Sequence, residues 1–208
     1  MGSQTSNTVR EQPFPRHSIR ETRRLDAAAQ VPHLPAMRFA LVVPALALPV
    51  AVACAQTNTK SQLGVVTQSI GGARVEITYR RPVARGRELF GALVPWGRPW
   101  TPSADSGARI STTEPLEING QRLAAGTYSL WAIPDSARWT IIFNSVAETF
   151  HRSYPEGHDV LRVQAAPSKG DYVETLMFAF PLVDADSARL ELHWGTTVVP
   201  LSLKAAGR

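Results

Sequence analysis

Four arginines, Arg80, Arg81, Arg85 and Arg87, lead into a proline- and glycine-rich stretch that carries Trp96 and Trp100 and ends near Asp105. Guanidinium groups offer paired N–H donors to carboxylate or phosphate, and indole faces suit sugar rings or cations. The segment therefore has the composition of a groove for a charged glycan or another anion, with Arg81, Arg85, Arg87, Trp96, Trp100 and Asp105 as the candidate ligand-binding set. The simpler reading pairs the arginines with Glu88 and Asp105 on a solvated edge and uses the tryptophans to plug a core, as aromatic residues near turns usually do.

Other chemistry is thinner. His151, Glu156, His158 and Asp159 crowd a stretch that is long for a connection between strands. Imidazole and carboxylate can hold a divalent ion, but two histidines seven apart in an irregular loop fix no geometry. Ordinary loop polarity is the expected outcome; His151, His158 and Asp159 are the long shot for a metal site, and none is favoured. His193, between Glu191 and Trp194, is expected on a polar face as a solvated or hydrogen-bonded side chain. Glu114 and Glu117 are expected on a strand edge. Serines are plentiful, yet none lies in a Gly-x-Ser-x-Gly elbow, and no phosphate-cradling glycine loop or dinucleotide fingerprint is present. No catalytic residue and no cofactor is therefore assigned.

These groups must be placed by a chain whose first part reads as an address. Met37-Arg38 precedes an apolar run, Phe39 to Ala53, of about 14 residues, the shape of a secretory signal and too short for a membrane span. Residues 1–36 show no apolar period and read as a disordered extension or an over-called start. Arg23-Arg24 lies too far from the apolar run, with Asp26 between, for a twin-arginine signal to be preferred. Residues 37–55 form the signal and 56–61 a polar linker. Cleavage after Ala53 would leave Cys54 as a lipidated first residue; cleavage after Ala55 would discard it. The rest of the chain contains no thiol, which excludes disulfides and cysteine-ligated zinc there. The expected location is outside the cytoplasm, in the periplasm or anchored to the envelope by lipid.

The leader also accounts for the charge. Of 22 basic and 17 acidic residues, which give a net +5, the first 53 positions hold six and three, leaving 16 against 14, or +2. Nucleic-acid binding loses its support, since it requires clustered cations.

From Gln62 the dominant period is two. Val75, Ile77 and Tyr79 alternate with Arg74, Glu76, Thr78 and Arg80. Strands are expected near Arg74–Arg80, Ala108–Thr112, Leu116–Ile118, Gln121–Leu123, Thr127–Ile133, Trp139–Asn144, Val160–Val163, Tyr172–Phe180, Ala188–Trp194 and Thr197–Leu203. Asn119-Gly120 predicts a type I′ hairpin, because both central residues need positive φ. A tight connection is expected at 134–137, and at most one helical turn near Glu88-Leu89-Phe90. Many short strands without helices predict an all-β domain over 62–204, a single antiparallel β-sandwich with a β-barrel as the alternative.

Arg81-Pro82, Gly86-Arg87, Leu89-Phe90-Gly91, Leu93-Val94-Pro95-Trp96-Gly97, Trp100, Asn119-Gly120, Ala125-Gly126-Thr127-Tyr128-Ser129-Leu130, Ile133-Pro134 and Trp139-Thr140-Ile141-Ile142 resemble, in that order, the bacterial family catalogued as domain of unknown function twenty-nine eleven. The resemblance covers nearly all of Gln62 to Leu203. It implies an exported or lipoprotein-type envelope protein and brings no activity, substrate or cofactor. One segment departs from the family pattern: after Trp100, where members carry an arginine, a glycine and a glutamate, this chain has Thr101, Ser103 and Ser106. Catalysis in that segment is thereby placed in doubt.

The leading expectation is a non-catalytic envelope β-sandwich binding a small polar ligand, a glycan or a protein partner through 82–105. A metal-assisted hydrolase and a purely structural envelope protein are the alternatives. No nucleic-acid partner is expected, and membrane attachment only through lipid on Cys54.

Overall fold

In the computed structural model residues 61–207 are described; the extension 1–36, the signal 37–55 with Cys54, and nearly all of the linker lie outside them. The period-two pattern becomes ten strands: β1 (Gln62–Ile70), β2 (Ala73–Arg81), β3 (Ala108–Thr112), β4 (Leu116–Ile118), β5 (Gln121–Leu123), β6 (Gly126–Ile133), β7 (Trp139–Asn144), β8 (Asp159–Ala165), β9 (Ser168–Val183) and β10 (Ser187–Ala205). They form a six-stranded sheet, β1-β2-β3-β6-β7-β8, and a four-stranded sheet, β5-β4-β10-β9. Neighbouring strands run antiparallel throughout. The sheets face each other without closing into a barrel, so the domain is a β-sandwich.

The alternation read in β2 sets the layer: Val75, Ile77 and Tyr79 are buried. They meet Leu176 and Phe178 of β9 and Leu190, Leu192 and Leu201 of β10 in one core. Each fully buried apolar side chain contributes about 1.5–3 kcal/mol, so a one-residue slip of β2 would cost several kcal/mol. Asn119 and Gly120 adopt φ of 46° and 78° in the two-residue β4–β5 hairpin.

No helix forms among the described residues, within the expected limit of one helical turn, and two other expectations need correction. At Glu88–Phe90 the chain makes wide turns closed by Leu93 N–H on Glu88 O (3.2 Å) and Val94 N–H on Leu89 O (2.7 Å), because Gly91 at φ 100° ends any helical course. The two strands expected at Ala188–Trp194 and Thr197–Leu203 are one, β10. It passes Gly195 through register shifts rather than a turn; at φ 58°, and with Leu89 Cδ1 2.8 Å from where a Cβ would sit, that position suits glycine. β1, which was not expected as a separate strand, pairs in register with β2 at the sheet edge.

Two features position the candidate site. Beyond β2, Pro82 has no N–H to continue the ladder, and the chain crosses to the other sheet. There Leu176 N–H donates to Pro82 O (2.9 Å) and Ala84 N–H to Glu174 O (2.8 Å). In addition, residues 145–158 fold over the outer face of β6 and β7, burying Ser129, Trp131, Ile142 and Asn144. The Tyr154 ring meets Trp131 edge-on at 5.2 Å, giving a second, smaller core.

Candidate functional site

Where the chain crosses between sheets it opens a cleft of about 630 Å³. Its cations are Arg85, Arg87 and Arg152, its acid is Asp105, and Trp100 and Trp194 are among its walls. Arg85 and Gly86, at φ 54° and 68°, make a tight turn closed by Arg87 N–H on Ala84 O (3.2 Å). Left-handed φ is uncommon for arginine. It is held here because Arg85 N–H donates to Glu174 Oε1 at 2.6 Å. The Tyr172 hydroxyl donates to the other Glu174 oxygen at 2.5 Å. These two hydrogen bonds, Tyr172's first, hold the Glu174 carboxyl below its ordinary range. Asp105, at φ 63°, is the second left-handed residue in the cleft; among the described non-glycine residues only the hairpin Asn119 shares that conformation. Such strain persists only where the surroundings over-determine it.

The arginines differ in what they can offer. The Arg87 guanidinium donates to Ala84 O (2.8 Å) and Val83 O (2.7 Å), which fixes its plane. The Arg85 guanidinium has no hydrogen-bonding partner among the described residues and is free to meet a ligand. Neither pairs with Glu88 or Asp105. Trp100, Trp139 and Trp194 do plug the core, whereas Trp96 is exposed. Phe90 lies edge-on to Trp139, Trp100 and Trp194 at 4.8, 6.0 and 6.2 Å. The Trp100 and Trp194 rings are parallel within 10°, at 6.1 Å.

Opposite the arginines, His151 Nδ1 lies 2.8 Å from Asp105 O, and the Arg152 Nε–H donates to His151 Nε2 at 3.2 Å. Both ring nitrogens of His151 thus lie within hydrogen-bonding distance of a partner. Thr101 is buried, donating to Leu130 O and accepting from Ala108 N–H, each at 2.9 Å. Ser103 Oγ accepts from Arg80 N–H at 2.8 Å. Two of the departures from the family pattern thus serve backbone hydrogen bonding.

The cleft gathers Arg85, Arg87, Trp100 and Asp105 of the expected set. Arg81 is elsewhere, its Nε–H directed at Leu176 O (3.4 Å). Trp96 lies on another groove. Trp194 and Arg152 were missed, and His151 was weighed only as a metal ligand. The one available signal for Trp194 was its parity with Leu190 and Leu192.

The long-shot metal residues do not converge, and no group of three or more His, Cys, Asp or Glu is placed for a metal ion among the described residues. Asp159 belongs instead to the smaller core: it accepts from Tyr154 O–H (2.5 Å), Asn144 Nδ2 (2.8 Å) and Arg162 Nε (2.8 Å). Burial opposes its ionisation, but these bonds outweigh burial and leave its carboxyl below the ordinary value of 3.8. His193 is hydrogen-bonded to Asp171 O at 2.8 Å. Glu117 is not on an edge: β4 lies inside its sheet, with Arg122 and Lys204 opposite Glu117.

The family model described as protein of unknown function, DUF2911, matches residues 61–203. A search of the curated proteins finds no match, and a search of the solved structures finds none.

Proposed function

Because the chain belongs to the DUF2911 family, whose description carries no activity, we propose a function from the cleft itself: it binds a small anion with a flat or weakly polar body, of which an acidic sugar is the representative class. One observation carries this reading. A free guanidinium, Arg85, and a fixed one, Arg87, share a cleft with the Trp100 and Trp194 indoles. Three arginines against Asp105 and the neighbouring Glu174 leave the cleft with a net positive charge, which favours anions. The left-handed Arg85 turn is built before any ligand arrives, so less ordering is needed on binding.

Binding rather than turnover is the reading adopted because both nitrogens of His151, the one imidazole lining the cleft, already meet partners within the fold. Calorimetric titration of glucuronate, galacturonate and glucose 6-phosphate tests the proposal. At least one should bind, and Arg85→Ala should weaken it about 10–100-fold, the scale of a charge-assisted hydrogen bond, with unchanged thermal stability. No heat from any of the three, or an unchanged Kd in Arg85→Ala, would sink the idea.

We place this activity in the bacterial envelope, on the strength of the Phe39 to Ala53 run and Cys54. Metabolic labelling with a fatty-acid analogue should mark the wild-type chain and fail on Cys54→Ala. An unlabelled wild type found only in the cytosol would remove both the anchor and the export.

A further inference from the structure

Trp96, set apart from the cleft, is the most exposed tryptophan among the described residues, at 47%. Most exposed apolar side chains need no explanation. This one is held in place: Gly97 N–H donates to Pro134 O at 2.9 Å, Phe90 lies against the indole at 6.2 Å and 34°, and a Cβ on Gly91 would come within 2.6 Å of its Nε1. The indole is thus packed on one side and presented to a groove of about 280 Å³ on the other.

The groove lies where the β6–β7 connection, the start of β9 and the Gly195 irregularity of β10 come together. Asp135, Ser136, Lys169, Thr196 and Thr197 line the groove with the indole. Asp135 Oδ1 accepts from Ala137 N–H at 3.0 Å, which fixes the carboxylate and leaves Oδ2 for another donor. The Ser136, Thr196 and Thr197 hydroxyls and the Lys169 ammonium have no hydrogen-bonding partner among the described residues. One carboxylate and one ammonium cancel, so the groove lacks the positive bias of the cleft.

A rigid aromatic face inside a ring of unspent donors and acceptors, with no net charge, is complementary to a pyranose. The C–H face of such a ring packs on an indole while its hydroxyls exchange hydrogen bonds at the rim. The geometry points to a second binding site on this protein, for a neutral sugar, formed by Trp96 with Asp135, Lys169 and the threonine pair. It does not depend on the anion cleft.

The test is NMR titration of the isotopically labelled protein with maltose, cellobiose and chitobiose, following the Trp96 indole N–H assigned by Trp96→Phe. At least one disaccharide should shift that resonance saturably. Trp96→Ala should weaken its binding at least tenfold, and Asp135→Asn severalfold, with circular dichroism confirming that both variants are folded. Saturating glucuronate should leave the disaccharide Kd unchanged. Absence of any shift at tens of millimolar disaccharide overturns the inference, as does binding that survives Trp96→Ala, and so does displacement of the disaccharide by glucuronate. A protein that fails to bind glucuronate yet binds a disaccharide at Trp96 loses the cleft reading and keeps this one.

Discussion

Replacing Trp131 by alanine is expected to lower the unfolding free energy by about 3–5 kcal/mol, the scale for removing a fully buried large aromatic side chain. Trp131 is buried on the outer face of the six-stranded sheet, where its Nε1–H donates to Ser129 Oγ at 3.0 Å and its ring meets Tyr154. Without it, residues 145–158 lose the surface they cover. They also lose their hold on the cleft, because His151 N–H donates to Asp105 O (3.2 Å) and Gly107 N–H to Thr149 O (2.8 Å) from this same cover. Hydrogen exchange should therefore accelerate across 145–158 while β2 and β3 stay protected, and glucuronate affinity should fall together with cover protection. Acid should act on the same contact. The folded pKa of Asp159 lies below its ordinary 3.8, so its stabilisation is fully present above that value and disappears as pH falls through the lower, folded pKa. Cover protection should weaken below about pH 4 in the wild type. A stability loss under about 1 kcal/mol in Trp131→Ala, or exchange speeding evenly over the domain, would contradict this account.

Phe90→Ala is expected to cost about 3 kcal/mol, the low end for a phenylalanine truncation because the ring is only partly buried. Its larger effect should be on the site. Phe90 touches Trp96, Trp100, Trp139 and Trp194, and it is the ring through which segment 82–105 is fastened to the end of the sandwich. Trp100 also keeps its backbone pairing with Ala132 (2.8 and 2.7 Å), so the strand connection survives while the indoles lose their common neighbour. Near-UV circular dichroism should diminish, and glucuronate binding should weaken at least tenfold, with far-UV circular dichroism unchanged. An unaltered near-UV spectrum would mean that the cluster does not organise the cleft.

Strands with one polar and one apolar face were legible, and β2 through β7 lie within a residue of where alternation places them. β1 was not, because Leu63 and Val65 point outward while Gln68 shares the inward parity of Val66 and Ile70, so neither face is distinctly apolar. β10 was divided at Gly195 because a glycine between two apolar runs looks the same in sequence whether it turns the chain or kinks it. Leu89, more than a hundred positions earlier, fills the space that decides between them.

The site followed the same division. Arg85, Arg87 and Trp100 could be suspected from composition, since guanidinium and indole chemistry belong to the residues themselves. Trp96, four positions before Trp100, could not be separated from them without the turn that seats it on Gly91. By itself the amino-acid sequence determined the strand parity and the chemical types available, because these depend on neighbours one or two residues away, and the family, because its motifs keep their order along the chain. Only the tertiary structure decided that Trp194 and Arg152 share a cleft with Arg85, that Trp96 serves a separate groove and that Asp159 stabilises a cover. Those outcomes depend on which strands become neighbours, and sheet order is set by the packing of the whole core.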